Sequence, residues 1–114
     1  MSSLETELYA PVKAWLEATG FEVKAEIEGC DIVARRGDEA PVIVELKTRF
    51  NLDLLLQGVD RLRLSDRVYI AFPRSATGKG SHWRKRRRAI IGLCRRLGVG
   101  LLIVDNRVEV VQEP

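Results

Sequence analysis

Apolar residues recur at helical spacing through Leu4, Leu8, Val12, Trp15 and Leu16, and the run stops at Gly20. That predicts a helix over 3–19 with a glycine where a C-terminal cap belongs. Pro11 lies inside it and predicts a bend or a separate first turn, because proline removes a backbone hydrogen bond. From Phe21 to Ile27 apolar and charged residues alternate, the pattern of a half-exposed strand. Residues 30–36 and 42–47 are short apolar runs on either side of Gly37-Asp38-Glu39, and they predict a hairpin within a sheet covered on both faces. Asn51 is placed to cap a second helix over 52–64, and a further strand, 67–72, is ended by Pro73. Polar, glycine-rich 74–80 predicts a mobile loop before a third helix over 81–97, stopped at Gly98. Residues 101–104 and 108–111 complete the sheet as a hairpin through Asp105-Asn106. The order αβββαβαββ over residues 1–114 predicts one α/β domain, a central mixed sheet flanked by helices.

Composition narrows the class of protein. No apolar run approaches the roughly 20 residues of a membrane span, and the acidic start Met-Ser-Ser-Leu-Glu-Thr-Glu does not resemble a secretory leader. Cys30 and Cys94 lack metal-ligand spacing, so two buried thiols in a reduced, cytoplasmic setting are expected. A single histidine, His82, excludes a His-rich metal cluster. The net charge of +3 conceals an asymmetry: residues 1–60 carry six Lys/Arg against twelve Asp/Glu, and residues 61–114 carry thirteen against four. An acidic half and an arginine-rich half suit a protein that holds a cation and docks a polyanion, although a solvated helix face explains the same charges.

The chemistry concentrates in the central hairpin. If its turn is centred on Asp38, pairing partners have positions with a constant sum, and Asp31 falls directly opposite Glu45. Side chains alternate along a strand, so Lys47 shares the face of Glu45 while Leu46 points away. Like charges placed opposite each other are destabilising, so the pair calls for a cation. Mg²⁺ (or Mn²⁺) takes oxygen ligands and needs only one or two carboxylates beside water and substrate phosphate. Asp31 and Glu45 are therefore candidate metal ligands, and Lys47 is a candidate catalytic cation for the charge that builds on a phosphoryl group. Ordinary strand-end charges, with Glu45 paired to Lys47, are the simpler alternative. Against it, both residues emerge from an apolar strand where charges are rare unless paired or bound.

Asp on the second strand and Glu-x-Lys on the third, in this order of elements, resemble the PD-(D/E)XK nuclease superfamily. Within it the chain looks most like a bacterial family of uncharacterised PD-(D/E)XK phosphodiesterases, from Glu5 to about Val104, with Cys30 where a proline often precedes the aspartate. The resemblance implies a restriction-endonuclease-like core and hydrolysis of nucleic-acid phosphodiesters by a metal-activated water. It implies metal binding by Asp31 and Glu45, joined by the Leu46 carbonyl and an acidic residue of the first helix, and catalysis by Lys47. Glu5 lies about 50° from the centre of that helix's apolar stripe and Glu7 about 110°, which favours Glu5, although a first-turn acid is also simply favourable to a helix. Some branches carry glutamine and, four residues on, tyrosine in the second helix. Gln57 matches the first, so it joins the catalytic candidates, but Arg61 replaces the second.

The third helix predicts the docking surface. Trp83, Ile90, Leu93, Cys94 and Leu97 form its apolar face, and Arg84, Arg88 and Arg95 fall on one line away from it. With Lys79 and Arg74 before them, these residues are expected to track phosphates without reading sequence. Nucleic acid is the expected partner, DNA ahead of RNA. So small a chain also implies a homodimer or a partner that supplies recognition. A non-catalytic nucleic-acid-binding or assembly module on the same fold is the competing reading.

Overall fold

The computed structural model describes the backbone of residues 3–27 and 29–114, with side chains from residue 6 onward. Helix α1 (Ser3–Glu17) is followed by strands β1 (Glu22–Ile27), β2 (Cys30–Arg35) and β3 (Val42–Leu46). Helix α2 (Leu52–Arg61), strand β4 (Arg67–Pro73), a 3-10 turn (Arg74–Thr77) and helix α3 (His82–Leu97) come next. Strands β5 (Gly100–Val104) and β6 (Val108–Gln112) close the order. Among the described residues the six strands form one mixed sheet whose spatial order follows the chain, β1 to β6. The pairs β1·β2, β2·β3 and β5·β6 are antiparallel, while β3·β4 and β4·β5 are parallel. Parallel neighbours need a long crossover, and α2 and α3 supply the two.

The helices cover opposite faces of the sheet. Leu8, Val12 and Leu16 of α1 pack with Ile32, Ala34, Val42, Val44 and Leu46. Leu54, Leu55, Trp83, Ile90 and Cys94 of α2 and α3 pack with Ile70, Phe72, Leu101 and Ile103 on the other face. Strand β3 is buried along its whole length, as a central strand between two helical layers must be. Helix α1 runs through Pro11 as one element, because the three leucine and valine anchors hold both sides of the proline on the sheet. Helix α2 starts where Asn51 Oδ1 accepts from the Leu54 amide at 2.9 Å, as an N-cap should. It then lies tight against β4: a Cβ added to Gly58 would sit 2.6 Å from Ile70 Cγ2.

Three expectations are corrected. The second helix ends at Arg61 rather than residue 64, with Leu62 as its C-cap. The stretch 74–80 is not uniformly loop, since Arg74–Thr77 forms a 3-10 turn. Arg74 there is exposed and bonds to Asp105 and Glu109. Leu93 and Leu97 are 45% and 37% exposed, so the buried face of α3 is narrower than its apolar pattern and consists of Trp83, Ile90 and Cys94.

Candidate functional site

The β2·β3 register pairs Ile32 with Val44, Val33 with Ile43 and Ala34 with Val42. Extended by one residue, it sets Asp31 opposite Glu45. At that point side chains take over the ladder. The Asp31 amide donates to Glu45 Oε2 at 2.9 Å, and the Leu46 amide donates to Asp31 Oδ2 at 2.8 Å. Each carboxylate is thus held by the main chain of the facing strand. Glu45 is 2% exposed, whereas Asp31 is half-buried.

The face follows from alternation along β3. Val42, Val44 and Leu46 point to the α1 layer, and Ile43 packs on the opposite face with Cys30, Val68, Leu62 and Leu64. Glu45 shares the face of Ile43, and α2 delivers its counter-charge there. Arg61 Nε and Nη2 both lie 3.2 Å from Glu45 Oε1. The same guanidinium donates to the Gly29 carbonyl and to Asp60 Oδ2, each at 2.8 Å. Burial pushes the Glu45 carboxyl above its ordinary value and the Asp31 charge adds to this, while the Asp31 amide and Arg61 pull the other way.

Lys47 follows β3 in extended form, its amide donating to the Ala71 carbonyl at 3.0 Å. Its Nζ meets Asp53 Oδ2 at 2.9 Å, and its side chain is 28% exposed. Asp53 sits in the first turn of α2, where an acid is favoured by the helix dipole. An open cleft of about 620 Å³ begins two residues beyond Lys47, between the starts of α2 and α3, with Arg49, Phe50, Leu52, His82 and Trp83 in its wall.

The remaining candidates separate. The side chain of Glu5 lies outside the described residues; Glu7 is exposed. Gln57 is half-buried and, among the described residues, makes no hydrogen bond to Asp31, Glu45 or Lys47. Arg61, one turn later on the same side of α2, reaches Glu45 instead. Lys79, Arg84, Arg88 and Arg95 are all exposed, and none forms an ion pair among the described residues.

The donor set can be tested against a divalent cation. Asp31 and Glu45 offer only oxygen, and Asp31 Oδ1 makes no hydrogen bond among the described residues. Two carboxylates suffice for Mg²⁺ when water and phosphate complete its shell. The described residues contain no group of three or more acidic, histidine or cysteine side chains that could hold a metal by themselves. The pair therefore fits a hard cation that takes its remaining ligands from elsewhere, and fits a closed structural metal site poorly. Arg61 and the cleft are the two features that sequence reasoning missed. The only signal for either was the arginine standing four residues after Gln57.

No family model matches the chain, and no curated protein matches it. Among solved structures it is similar to the SPO1766 protein of unknown function from Silicibacter pomeroyi, with 19% sequence identity and a TM-score of 0.62. The match covers 96% of this chain and 70% of that one. At this identity the likeness shows the shared mixed α/β fold. No helix among the described residues is long and apolar enough to cross a membrane.

Proposed function

We propose that this protein is a metal-dependent phosphodiesterase acting on nucleic acid, built on a restriction-endonuclease-like core. The observation that carries the reading is the opposition of Asp31 and Glu45 at the end of a buried strand, with Lys47 two residues beyond. A core strand has no packing reason to hold two facing carboxylates.

Asp31 and Glu45 are the residues that would hold Mg²⁺ or Mn²⁺, which supplies water activation and neutralises phosphoryl charge. The main-chain amides of Asp31 and Leu46 fix both carboxylates in place beforehand. Lys47, steadied by Asp53, offers its ammonium to the phosphoryl oxygens. Exposed Arg84, Arg88, Arg95 and Lys79 take the sugar-phosphate backbone without reading bases.

A second reading, a nucleic-acid-binding or assembly module without turnover, is favoured by one observation: Arg61 already balances Glu45. A cleavage panel of single- and double-stranded DNA and RNA with Mg²⁺ or Mn²⁺ separates the two. The nuclease reading expects cleavage by the wild type and a loss of about 10²-fold or more in Lys47→Ala, the scale of removing one transition-state charge partner. Binding without cleavage across the whole panel would establish the module instead.

A further inference from the structure

Among the described residues, Arg61 is a cation whose contacts reach the buried carboxylate. Its three nitrogens are not held alike. Nη1 meets Asp60 Oδ2 and Nη2 meets the Gly29 carbonyl, each at 2.8 Å, within the usual range for a charge-assisted bond. The contacts to Glu45 Oε1 are longer, 3.2 Å from both Nε and Nη2. The guanidinium is thus moored to the turn before β2 and to its own helix, and its grip on Glu45 is the loosest of the set. Glu45 Oε2 is engaged by the Asp31 amide, which leaves Oε1 as the oxygen a second cation would need.

We infer that Arg61 is a built-in counter-cation that a divalent ion must displace from Glu45, so that Arg61 sets the affinity of the site for that ion. The inference rests on the reading that Asp31 and Glu45 hold a divalent cation. An ionised carboxylate that is 2% exposed is stabilised by a positive partner, and Arg61 provides one. A guanidinium and a divalent ion cannot share one oxygen without strong repulsion. Because Asp60 and Gly29 keep hold of Arg61, it moves off Oε1 without leaving the site. A guanidinium released from Oε1 is well shaped to meet a phosphodiester. Arg61 is a positioning residue in this scheme: it acts on the metal through Glu45, weakening the hold of the two carboxylates on a divalent ion without abolishing it.

The test is calorimetric titration of Mn²⁺ into the full chain, as wild type, Arg61→Gln and Arg61→Lys. Arg61→Gln is expected to bind Mn²⁺ at least about tenfold more tightly than wild type, because the competing charge is gone. Arg61→Lys, which keeps the charge, should stay near the wild-type affinity. Should Arg61→Gln fail to fold, the Arg61 Nε–Hε resonance of the wild type carries the test. It should shift with Mg²⁺ along the same isotherm as metal binding. Equal or weaker binding by a folded Arg61→Gln, or an Nε–Hε resonance that stays still while the ion binds, would overturn the inference and leave the metal site standing. No binding by any of the three proteins would overturn the metal site and this inference together.

Discussion

Ionising a carboxylate with 2% exposure forfeits most of its hydration, and only nearby donors and cations make up the difference. For Glu45 these are the Asp31 amide at 2.9 Å and Arg61 at 3.2 Å, against which burial and the Asp31 charge work in the other direction. Asp31, half-buried and bound through Oδ2 alone among the described residues, has the freer oxygen. The two carboxylates are therefore unequal: one is deep and already balanced, the other shallow and available. Lys47, two residues beyond Glu45, has its ammonium on Asp53. The opposition of the two acids was legible in the sequence because a hairpin has a single free parameter, the sum of paired positions, and the Gly37-Asp38-Glu39 turn marks it. The role of Arg61 was not legible. It depends on how far α2 lies from β3, which no local pattern encodes.

That spacing is set at the level of the elements. Gly58 lets α2 approach β4 so closely that an added Cβ would meet Ile70 Cγ2 at 2.6 Å and Val99 Cγ1 at 3.5 Å. Gly58→Ala should thus lower stability: overpacking of about 1–3 kcal/mol outweighs the gain in helix propensity. Gly92, on α3, has nothing within 4 Å of its added Cβ, so Gly92→Ala should gain up to about 1 kcal/mol. Urea denaturation of the two variants checks the pair, and equal shifts would contradict this account of α2 packing. Element types were legible wherever an apolar period met a cap, as at Asn51 and Ser81, whose side chains accept from the Leu54 and Arg84 amides. The errors share a cause. Leu93 and Leu97 continue the apolar stripe of α3 yet stay exposed, and tertiary extent is invisible to periodicity. The ion pairs of Arg74 were not legible because its partners, Asp105 and Glu109, lie more than thirty residues away in sequence.

Across the whole molecule the acidic and basic halves of the chain come to occupy different structures. The acids of the first half include the pair on β2 and β3, while Arg84, Lys85, Arg86, Arg87, Arg88, Arg95 and Arg96 stand exposed along α3. The helix changes course at Arg86, where φ is −123°, and Arg87 lies over the Trp83 ring at 5.9 Å. An exposed arginine helix releases counterions when it meets a polyanion. Replacing Arg84, Arg88 and Arg95 by glutamine should reduce the slope of log affinity against log salt by roughly 2–3 for DNA, without lowering stability. An unchanged slope would contradict the proposed docking role of α3. The cleft at the starts of α2 and α3 runs from Arg49, two residues beyond Lys47, to Ser81, His82 and Trp83 at the start of this basic helix.

The central claim is that Asp31 and Glu45 form a cation site, and calorimetric titration of Mn²⁺ into wild type and Glu45→Ala tests it most directly, with circular dichroism to show that both are folded. The account predicts saturable binding by the wild type and none by Glu45→Ala; equal binding by the two folded proteins would contradict it.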